Sequence, residues 1–430
     1  MAQTSVSDYR KSIDYLFGLQ KYGIKFGLNS TEQILGRIGN PHRRLRCIHV
    51  AGTNGKGSTA AMLSSVLRHH GYRVGLYTSP HLVRFTERFR VDEQEVSTGR
   101  ILDVFERIRA VLDPQEPPTF FEMVTAMAFL FFAEEELDWS IIEVGMGGRL
   151  DATNVVMPRV GIITTVALDH QEFLGHSLTA IAREKAGIIK SGVPVVTGVR
   201  QPAALGVIKA ACLRHDAPLF CLGRDFDVRR EGKDVFQVRG LERRWPALEV
   251  GLPGRHQMQN AAVSLAALEV LEKSGELTLR EDAVWEGLRG VRWPARLEIL
   301  GHRPTIVLDG AHNPEGAETL RHAIQECFDY RRLHLVVGMM ADKDIEGVLR
   351  RLMPLAENVI LTKPRYQRAA SPEEIARRIG PGAEKCLMIS DMSEALDRAR
   401  ELAAPDDLIC ITGSLYFAGE VKELWGEPVV

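Results

Sequence analysis

A glycine-rich turn at residues 52–59 constrains the fold of this chain more strongly than any other stretch. The turn reads GTNGKGST, an alternating run at 45–50 precedes it, and apolar residues at helical spacing follow it in 60–67. The first run predicts a strand and the second predicts a helix. Such a turn directs several backbone N–H groups and the positive end of the helix at one point, where Lys56 adds a charge. The stretch therefore predicts a phosphate-binding loop in a parallel α/β sheet.

This loop departs from the strict P-loop pattern at two positions. The strict pattern requires glycine at residue 50 and serine or threonine at residue 57, where this chain has Val50 and Gly57. A tight turn that binds nothing is the alternative interpretation. Three glycines, one lysine and two hydroxyl side chains within residues 52–58 favour phosphate binding.

Length and charge limit the classes of protein that this chain can belong to. At 430 residues it is too long for one ordinary core, so we expect two domains. A net charge of −2 gives no electrostatic footprint for nucleic acid or for an anionic membrane. The apolar run at 124–133 is about half the length of a membrane span, and the N-terminus lacks the pattern of a signal peptide. Six scattered cysteines without C-x-x-C pairing indicate reduced thiols, so we expect a cytoplasmic protein.

Strand and helix patterns alternate along most of the chain, which predicts parallel sheets covered on both faces. Residues 8–39 have a helical pattern with a break at 23–29, and short strand-like runs at about 217–251 predict a β-rich insertion or a sheet edge. After Pro294 the alternation restarts, with strands predicted at 305–309, 333–338, 358–362, 386–390 and 407–412. The sequence therefore predicts a larger α/β domain over 1–293 and a smaller one over 294–430.

Several polar residues follow predicted strands, where ligands bind in open α/β sheets. Ser79, Glu143 and His170 follow strands of the first domain, and Asp309 and His312 follow a strand of the second. A hydroxyl, a carboxylate and an imidazole can all ligate a divalent cation, although histidine is unusual for a hard one. Hydrogen bonding to the backbone is the alternative for His170, and helix capping by the adjoining Asn-Pro pair is the alternative for the second cluster.

Three further residues carry no signal in isolation. Lys185 has the pattern of a helical surface lysine near acidic residues, and Asn260 lies in a helix predicted over about 257–273. Arg296 lies just past the predicted boundary, where a residue of the second domain could reach a nucleotide on the first.

Taken together, the motifs resemble those of the folylpolyglutamate synthase and dihydrofolate synthase family of the Mur ligase superfamily. The matching stretches, in the family's order, are GTNGKGS at 52–58, SPHL at 79–82, EVGMGGRLDATN at 143–154, LDH at 168–170, REKAG at 183–187, DGAHNP at 309–314 and GSLY at 413–416. The resemblance covers nearly the whole chain. It also accounts for Gly57, because G-T-N-G-K-G-S/T is the family's own form of the loop.

The resemblance implies a P-loop NTPase-like domain followed by a smaller Rossmann-like α/β domain, and it assigns roles residue by residue. It implies catalytic roles for Lys56, Lys185 and His312, with Lys185 carbamylated. The implied ATP-binding residues are Thr53, Asn54, Gly55, Lys56, Gly57, Ser58, Asn260, Arg296 and Asp309. The implied magnesium ligands are Ser79, Glu143 and His170, with two magnesium sites and room for a monovalent cation.

Substrate positions follow from the same resemblance. The pterin or folate would contact Gly27, Leu28, Asn29, Phe120, Phe121, Leu150, Asp151 and Ala152. Glutamate would contact His312, Ser414 and Tyr416. The implied reaction is ATP-dependent ligation of L-glutamate to dihydropteroate, to folates or to both, through an acyl phosphate, with ADP and phosphate released.

We expect a bifunctional monomer without nucleic-acid or membrane partners. A synthase restricted to folylpolyglutamate is the first alternative. Another Mur-type amino-acid ligase is less well supported, because only about 50 residues precede the loop, which is short for a further domain. A nucleotide-binding switch protein is disfavoured by the polar residues that the second domain would bring to a cleft.

Overall fold

The computed structural model describes residues 6–23 and 27–426. The first domain is built on an eight-stranded sheet with the order β4-β3-β2-β5-β1-β6-β7-β8. Its strands are β1 (Cys47–Ala51), β2 (Val74–Tyr77), β3 (Phe89–Val91), β4 (Gln94–Glu95), β5 (Trp139–Glu143), β6 (Val160–Ile163), β7 (Val195–Thr197) and β8 (Leu219–Cys221). Its helices are α1 (Val6–Gly18), α2 (Asn29–Arg37), α3 (Lys56–His69), α4 (Thr98–Arg109), α5 (Phe120–Glu134), α6 (Gln171–Leu174), α7 (Leu178–Ala186), α8 (Pro202–Arg214), α9 (Arg255–Lys273) and α10 (Glu281–Gly290).

The centre of this sheet is parallel, as the sequence predicts, and every residue of β1 and β5 is buried. Strand β1 pairs with β5 and β6, which places Val50 opposite Glu143 and Ala51 opposite Ile163. The carboxyl ends of these strands therefore meet beside the start of α3. Strands β3 and β4 are antiparallel additions at one edge, and the sequence patterns did not predict them.

The segment at 217–251 contains both of the features that its pattern allowed. Strand β8 closes one edge of the large sheet. A separate antiparallel sheet follows, formed by β9 (Asp227–Arg230), β10 (Val235–Arg239) and β11 (Arg244–Glu249). The buried side chains of β10 and β11, among them Phe236 and Trp245, join the core of the first domain beside α3 and α9.

The second domain is built on a six-stranded sheet with the order β12-β13-β17-β14-β15-β16. Its strands are β12 (Glu298–Gly301), β13 (Thr305–Leu308), β14 (Leu333–Val337), β15 (Asn358–Leu361), β16 (Cys386–Met388) and β17 (Leu408–Thr412). Its helices are α11 (Pro314–Cys327), α12 (Ile345–Leu352), α13 (Pro372–Ile379), α14 (Met392–Leu402) and α15 (Leu415–Leu424). The antiparallel edge strand β12 was not predicted, whereas the other five strands are parallel as expected.

Two sheets joined by a linking stretch agree with the predicted fold class. Helix α10 ends at Gly290 and β12 begins at Glu298, so the proposed division at 293/294 falls in this stretch. The residues after β13, β14 and β17 lie at adjacent carboxyl ends of the second sheet. None of the helices within residues 6–23 and 27–426 is both long and apolar enough to cross a membrane.

Candidate active site

The glycine-rich loop connects β1 to α3, and its backbone is fixed by the strand beside it. The N–H of Thr53 donates to the carbonyl of Thr165 at 2.9 Å, and the Thr164 hydroxyl donates to the carbonyl of Asn54 at 2.7 Å. Gly52 has φ of 151°, and a Cβ there would lie under 3.0 Å from the Thr164 hydroxyl oxygen. Only glycine fits at such a position, because the loop backbone packs directly against Thr164.

The charged and capping residues of the loop are arranged as a phosphate site requires. Gly55 is the N-cap of α3 in left-handed backbone, and Lys56 donates its Nζ to the carbonyl of Thr53 at 3.1 Å. Ser58 is buried in the first turn and is linked to Asn260 of α9 through Gln257. Gln257 donates to the Ser58 hydroxyl at 3.3 Å and accepts from Asn260 at 3.0 Å. The sequence did not predict this role for Gln257.

Two of the predicted magnesium ligands, Ser79 and Glu143, lie where β2 and β5 end, whereas His170 lies seven residues beyond β6. The Ser79 N–H donates to Glu143 Oε2 at 3.3 Å, so these two residues are adjacent. Glu143 is buried, and burial raises the pKa of its carboxyl to about 7 against the opposing charges of Lys56 and Arg296. A carboxylate whose ionised form is so poorly solvated favours a bound cation, so the donor set fits the predicted metal.

His170 occupies the N-cap of α6 in left-handed backbone. The His170 side chain is 39% exposed, but partial desolvation in the cleft and the nearby ammonium groups of Lys343 and Lys56 lower its pKa to about 4, against the opposing charge of Asp169. The imidazole is therefore neutral near pH 7, which is the form that ligates metals. Among the described residues no three His, Cys, Asp or Glu side chains form a metal cluster, so a cation here would need water or phosphate oxygens as further ligands.

Lys185 lies on the buried face of α7 and is not the surface lysine that its spacing suggested. Burial, followed by the positive charge of Lys56, lowers the pKa of Lys185 to about 7. The carboxylates of Asp169 and Asp151 oppose this shift. A large share of the side chain is therefore a neutral amine near pH 7, and this is the form that reacts with carbon dioxide to give a carbamate.

The second domain contributes Asp309 and Arg296. The buried carboxylate of Asp309 accepts from the N–H of Leu297 at 3.0 Å and of Ala311 at 2.9 Å, while burial raises its pKa. Arg296 is the first opposing charge, so the two side chains are close. A pocket between the domains is lined by Arg296 and by residues of both domains: Gly57, Thr78, Ser79, Pro80, Leu82, Glu87, Arg90, Glu143, Trp293, Pro294 and Leu415.

His312 and the residues after it contact the first domain directly. His312 Nε2 lies 3.2 Å from Asp169 Oδ2, and its Nδ1 lies 2.9 Å from the carbonyl of Gly310. Asn313 caps α11, and its amide also pairs with that of Asn54, with N–O distances of 2.9 and 3.2 Å. The phosphate loop of the first domain is thus hydrogen-bonded to the turn of the second domain that carries His312.

Comparison with known proteins decides the family. The Mur ligase middle domain matches residues 50–268, and the Mur ligase glutamate ligase domain matches residues 295–415. This chain is a Mur ligase. It is 36% identical to the dihydrofolate synthase/folylpolyglutamate synthase of Bacillus subtilis, over 96% of this chain and 98% of that protein.

Solved structures agree with the sequence comparison. The folylpolyglutamate synthase of Mycobacterium tuberculosis complexed with ADP and AMPPCP has a TM-score of 0.91 at 34% identity, covering 98% of this chain and 99% of that one. The E. coli FolC structure with DHPP and ADP has a TM-score of 0.88 at 32% identity, covering 96% and 97%. This Mur ligase is therefore an ATP-dependent ligase of the folylpolyglutamate synthase/dihydrofolate synthase group.

Within this Mur ligase, the predicted acceptor residues lie in three places. Gly27, Leu28 and Asn29 form the entry to α2, where Leu28 is the N-cap. Phe120 stacks on the half-exposed Phe17, with ring centroids 5.6 Å apart.

Phe121 fills the space beside Gly145 and Tyr77. Leu150, Asp151 and Ala152 lead into a 3₁₀ turn at Ala152–Val155. Asp151 already accepts the N–H groups of Thr153 and Met146, so its carboxylate holds this turn in shape. The contacts of these residues with a substrate stay a prediction.

The predicted glutamate residues lie at the start of α15. Ser414 is buried and caps the helix by accepting the N–H of Phe417 at 3.0 Å. The Tyr416 ring stacks on Tyr366 with centroids 4.3 Å apart. Burial raises the pKa of Tyr416, and the charges of Arg368 and Arg88 act against that shift.

Sequence reasoning missed Arg88, which lies between the acceptor and glutamate positions. Its guanidinium is buried, donates Nε–H to His81 Nδ1 at 2.8 Å, and lies 5.2 Å from the Phe120 ring. Burial lowers the pKa of Arg88, although Tyr77, Tyr416, Glu87 and Glu143 oppose the shift. Among residues 6–23 and 27–426 no carboxylate forms an ion pair with Arg88. No signal in the sequence marks this residue, because its surroundings come from distant segments.

Proposed function

We propose that this Mur ligase attaches L-glutamate to the carboxylate of pterin-containing acceptors and that it accepts both dihydropteroate and reduced folates. The observation that carries the proposal is the contact between its two domains. The phosphate loop, through Asn54, is hydrogen-bonded to the turn of the second domain that carries His312. A nucleotide on the loop would therefore face the glutamate ligase domain.

The proposed reaction has two steps. The acceptor carboxylate oxygen attacks the γ-phosphorus of ATP, the bond to the β-phosphate oxygen breaks, and ADP leaves. The neutral amine of glutamate then attacks the acyl carbon, inorganic phosphate leaves with the electron pair of the broken C–O bond, and the amine loses one proton as the amide forms. Lys56 would offset the charge of the transferring phosphoryl group, which is the main task of such sites.

Ser79, Glu143 and His170 would hold magnesium, which supplies charge neutralisation for the phosphoryl groups when it is bound. Lys185 would be carbamylated: the neutral amine adds to carbon dioxide and releases one proton. The low pKa of Lys185 supports this assignment, because only the neutral amine reacts.

Arg88 would bind a substrate carboxylate in the cleft. The nearby carboxylates of Glu87 and Glu143 offset part of the cost of burying this guanidinium, and a substrate anion in direct contact would offset more of it. Arg88 lies near Phe120, a predicted acceptor residue, and near Tyr416, a predicted glutamate residue. A substrate carboxylate at the junction of these two predicted sites would lie within reach of Arg88. A planar guanidinium is also the side chain that best matches a carboxylate in two parallel hydrogen bonds.

Incorporation of labelled glutamate, measured with dihydropteroate and with tetrahydrofolate in parallel, tests the proposal. We expect ATP-dependent products with both acceptors. Activity with tetrahydrofolate alone would replace the bifunctional assignment with the folylpolyglutamate synthase alternative. Glutamate transfer to neither acceptor, in a preparation that binds ADP, would refute the proposed function.

A further inference from the structure

Asp169 of the first domain contacts three side chains of the second domain. Its carboxylate is 6% exposed, and Lys343 Nζ donates to Oδ1 at 2.7 Å. His312 Nε2 and Asn313 Nδ2 lie 3.2 and 3.0 Å from Oδ2. The backbone N–H of His170, the predicted metal ligand, also donates to Oδ1 at 2.8 Å. This part of the domain interface is therefore a buried charged cluster.

The loop that carries Lys343 is fixed by hydrogen bonds to its backbone. Lys343 lies between β14 and α12, where its N–H donates to the carbonyl of Met340 at 3.2 Å and its carbonyl accepts from Ile345 at 2.9 Å. Arg378 also donates to the carbonyl of Ala341 in the same loop, at 2.7 Å. The lysine side chain is only 10% exposed. The backbone of the loop that carries Lys343 is thus fixed, and the Lys343 side chain lies at a largely buried contact with Asp169.

The cluster connects the predicted metal ligand to the nucleotide loop through one short turn. Asn313 donates to Asp169 with the same amide nitrogen that donates to Asn54 Oδ1 at 2.9 Å. His312, beside it, is the predicted glutamate residue. The ammonium group of Lys343 balances the negative charge of Asp169 at the centre of this arrangement, where water is largely excluded.

We propose that Lys343 is a positioning residue for glutamate ligation, which acts by pairing with Asp169 to seat the His312–Asn313 turn against the loaded first domain. This inference rests on the proposed function. It assigns to Lys343 a large effect on the use of glutamate and on the arrangement of the two domains, and a smaller effect on nucleotide binding, because most of the predicted nucleotide residues lie in the first domain.

The test compares three single variants of the full-length protein. Lys343→Met removes the charge and keeps the length of the side chain, and Lys343→Arg restores the charge. Lys233→Met is the matched control, because Lys233 also forms an ion pair across the domains, with Asp329 at 3.4 Å, but both side chains are well exposed. Exposed pairs of this kind contribute little.

Three measurements are needed for each variant. Steady-state kinetics gives kcat and KM for glutamate, calorimetry gives the Kd for ADP with magnesium, and small-angle scattering with the same ligands gives the radius of gyration. For Lys343→Met we expect kcat/KM for glutamate to fall by about 10- to 100-fold, as for coupling between two sites, with an enlarged radius of gyration and a much smaller loss of ADP affinity. Lys343→Arg should recover most of the loss, and Lys233→Met should match the wild type.

The outcomes separate this inference from the proposed function. Wild-type kinetics for Lys343→Met, a loss of ADP affinity as large as the loss of kcat/KM for glutamate, or failure of the arginine variant to recover activity would each overturn the positioning role. If the wild type ligates no glutamate, the proposed function fails while scattering still decides the inference. An enlarged Lys343→Met protein would then support the role in seating the domains, and an unchanged one would refute it.

Discussion

The buried carboxylate of Glu143 should make the metal-free protein less stable as the pH rises. We predict that Glu143→Gln stabilises the metal-free protein at pH 8 while it abolishes glutamate ligation. The amide keeps the shape of the side chain and one acceptor for the Ser79 N–H, but it carries no charge to bury. A residue predicted to bind the metal is thus expected to cost stability when the metal is absent.

The magnitude follows from the raised pKa of Glu143. In the folded protein the pKa is about 7, compared with an ordinary value of 4.5. The folded state therefore holds the proton more tightly, and the free energy of unfolding falls as the pH rises from 4.5 to 7. At about 1.4 kcal/mol for each tenfold change in a protonation constant, the loss is about 1 kcal/mol at pH 5 and about 3 kcal/mol at pH 8.

Urea unfolding in the presence of EDTA at pH 5 and pH 8 measures this effect. The advantage of Glu143→Gln over the wild type should grow by about 2 kcal/mol between the two pH values. The control is Glu269→Gln, at a buried carboxylate that accepts N–H groups from Trp245, Leu241 and Glu242. In Glu269→Gln the side-chain amide nitrogen would face at least one of these N–H donors, so the variant should lose stability at both pH values.

Two results would refute the reasoning. One is a stability difference between Glu143→Gln and the wild type that stays the same at pH 5 and pH 8. The other is a variant that keeps near-normal glutamate ligation, since the predicted metal site requires the charge. Added magnesium should stabilise the wild type at pH 8 and leave the variant unchanged, because only the carboxylate supplies a charged ligand.

Three further substitutions test the domain contact, the loop and the buried lysine. Gly419→Ala should lower kcat/KM at least tenfold and cost about 1–3 kcal/mol of stability, since its Cβ would lie under 3.0 Å from the carbonyl oxygen of Leu82 in the first domain. Gly36→Ala is its control, with nothing within 4 Å, and should stabilise α2 by up to about 1 kcal/mol in thermal unfolding. Gly52→Ala should abolish ADP binding measured by calorimetry, and retained binding would contradict the assigned loop geometry. Lys185→Ala should lose ligation and regain part of it with added short carboxylic acids, while the wild type should show the mass of a carbamate in bicarbonate buffer.

Local sequence patterns predicted the parts of the site that local structure determines. The glycine-rich loop is contiguous, and its strand and helix are visible as patterns on either side. Ser79 and Glu143 were predicted to meet because parallel strands bring their carboxyl ends to one edge, and the structure places them in contact. Such residues can be found from the order of strands and helices alone.

The remaining parts depend on contacts between distant segments. Lys185 follows two charged residues, Arg183 and Glu184, so its spacing indicated a surface position, yet α7 turns it into the interior. The importance of Arg88 depends on a partner, Tyr416, that lies in the other domain. Asp169 and Lys343 are separated by 174 residues, and neither belongs to a pattern that would reveal their contact.

The charges of the site explain how a chain with a net charge of −2 can bind several anions. The buried or half-buried cations Lys56, Arg88 and Arg296 each lower the pKa of the Glu143 carboxyl, and the carboxylate of Asp309 also lies beside Arg296. These cations lie in a poorly solvated part of the cleft. Local charges of this kind act strongly over a few ångströms and are screened beyond about 8 Å at physiological salt. Affinity for the anionic substrates should therefore come from contacts inside the closed cleft, which requires the two domains to be seated together.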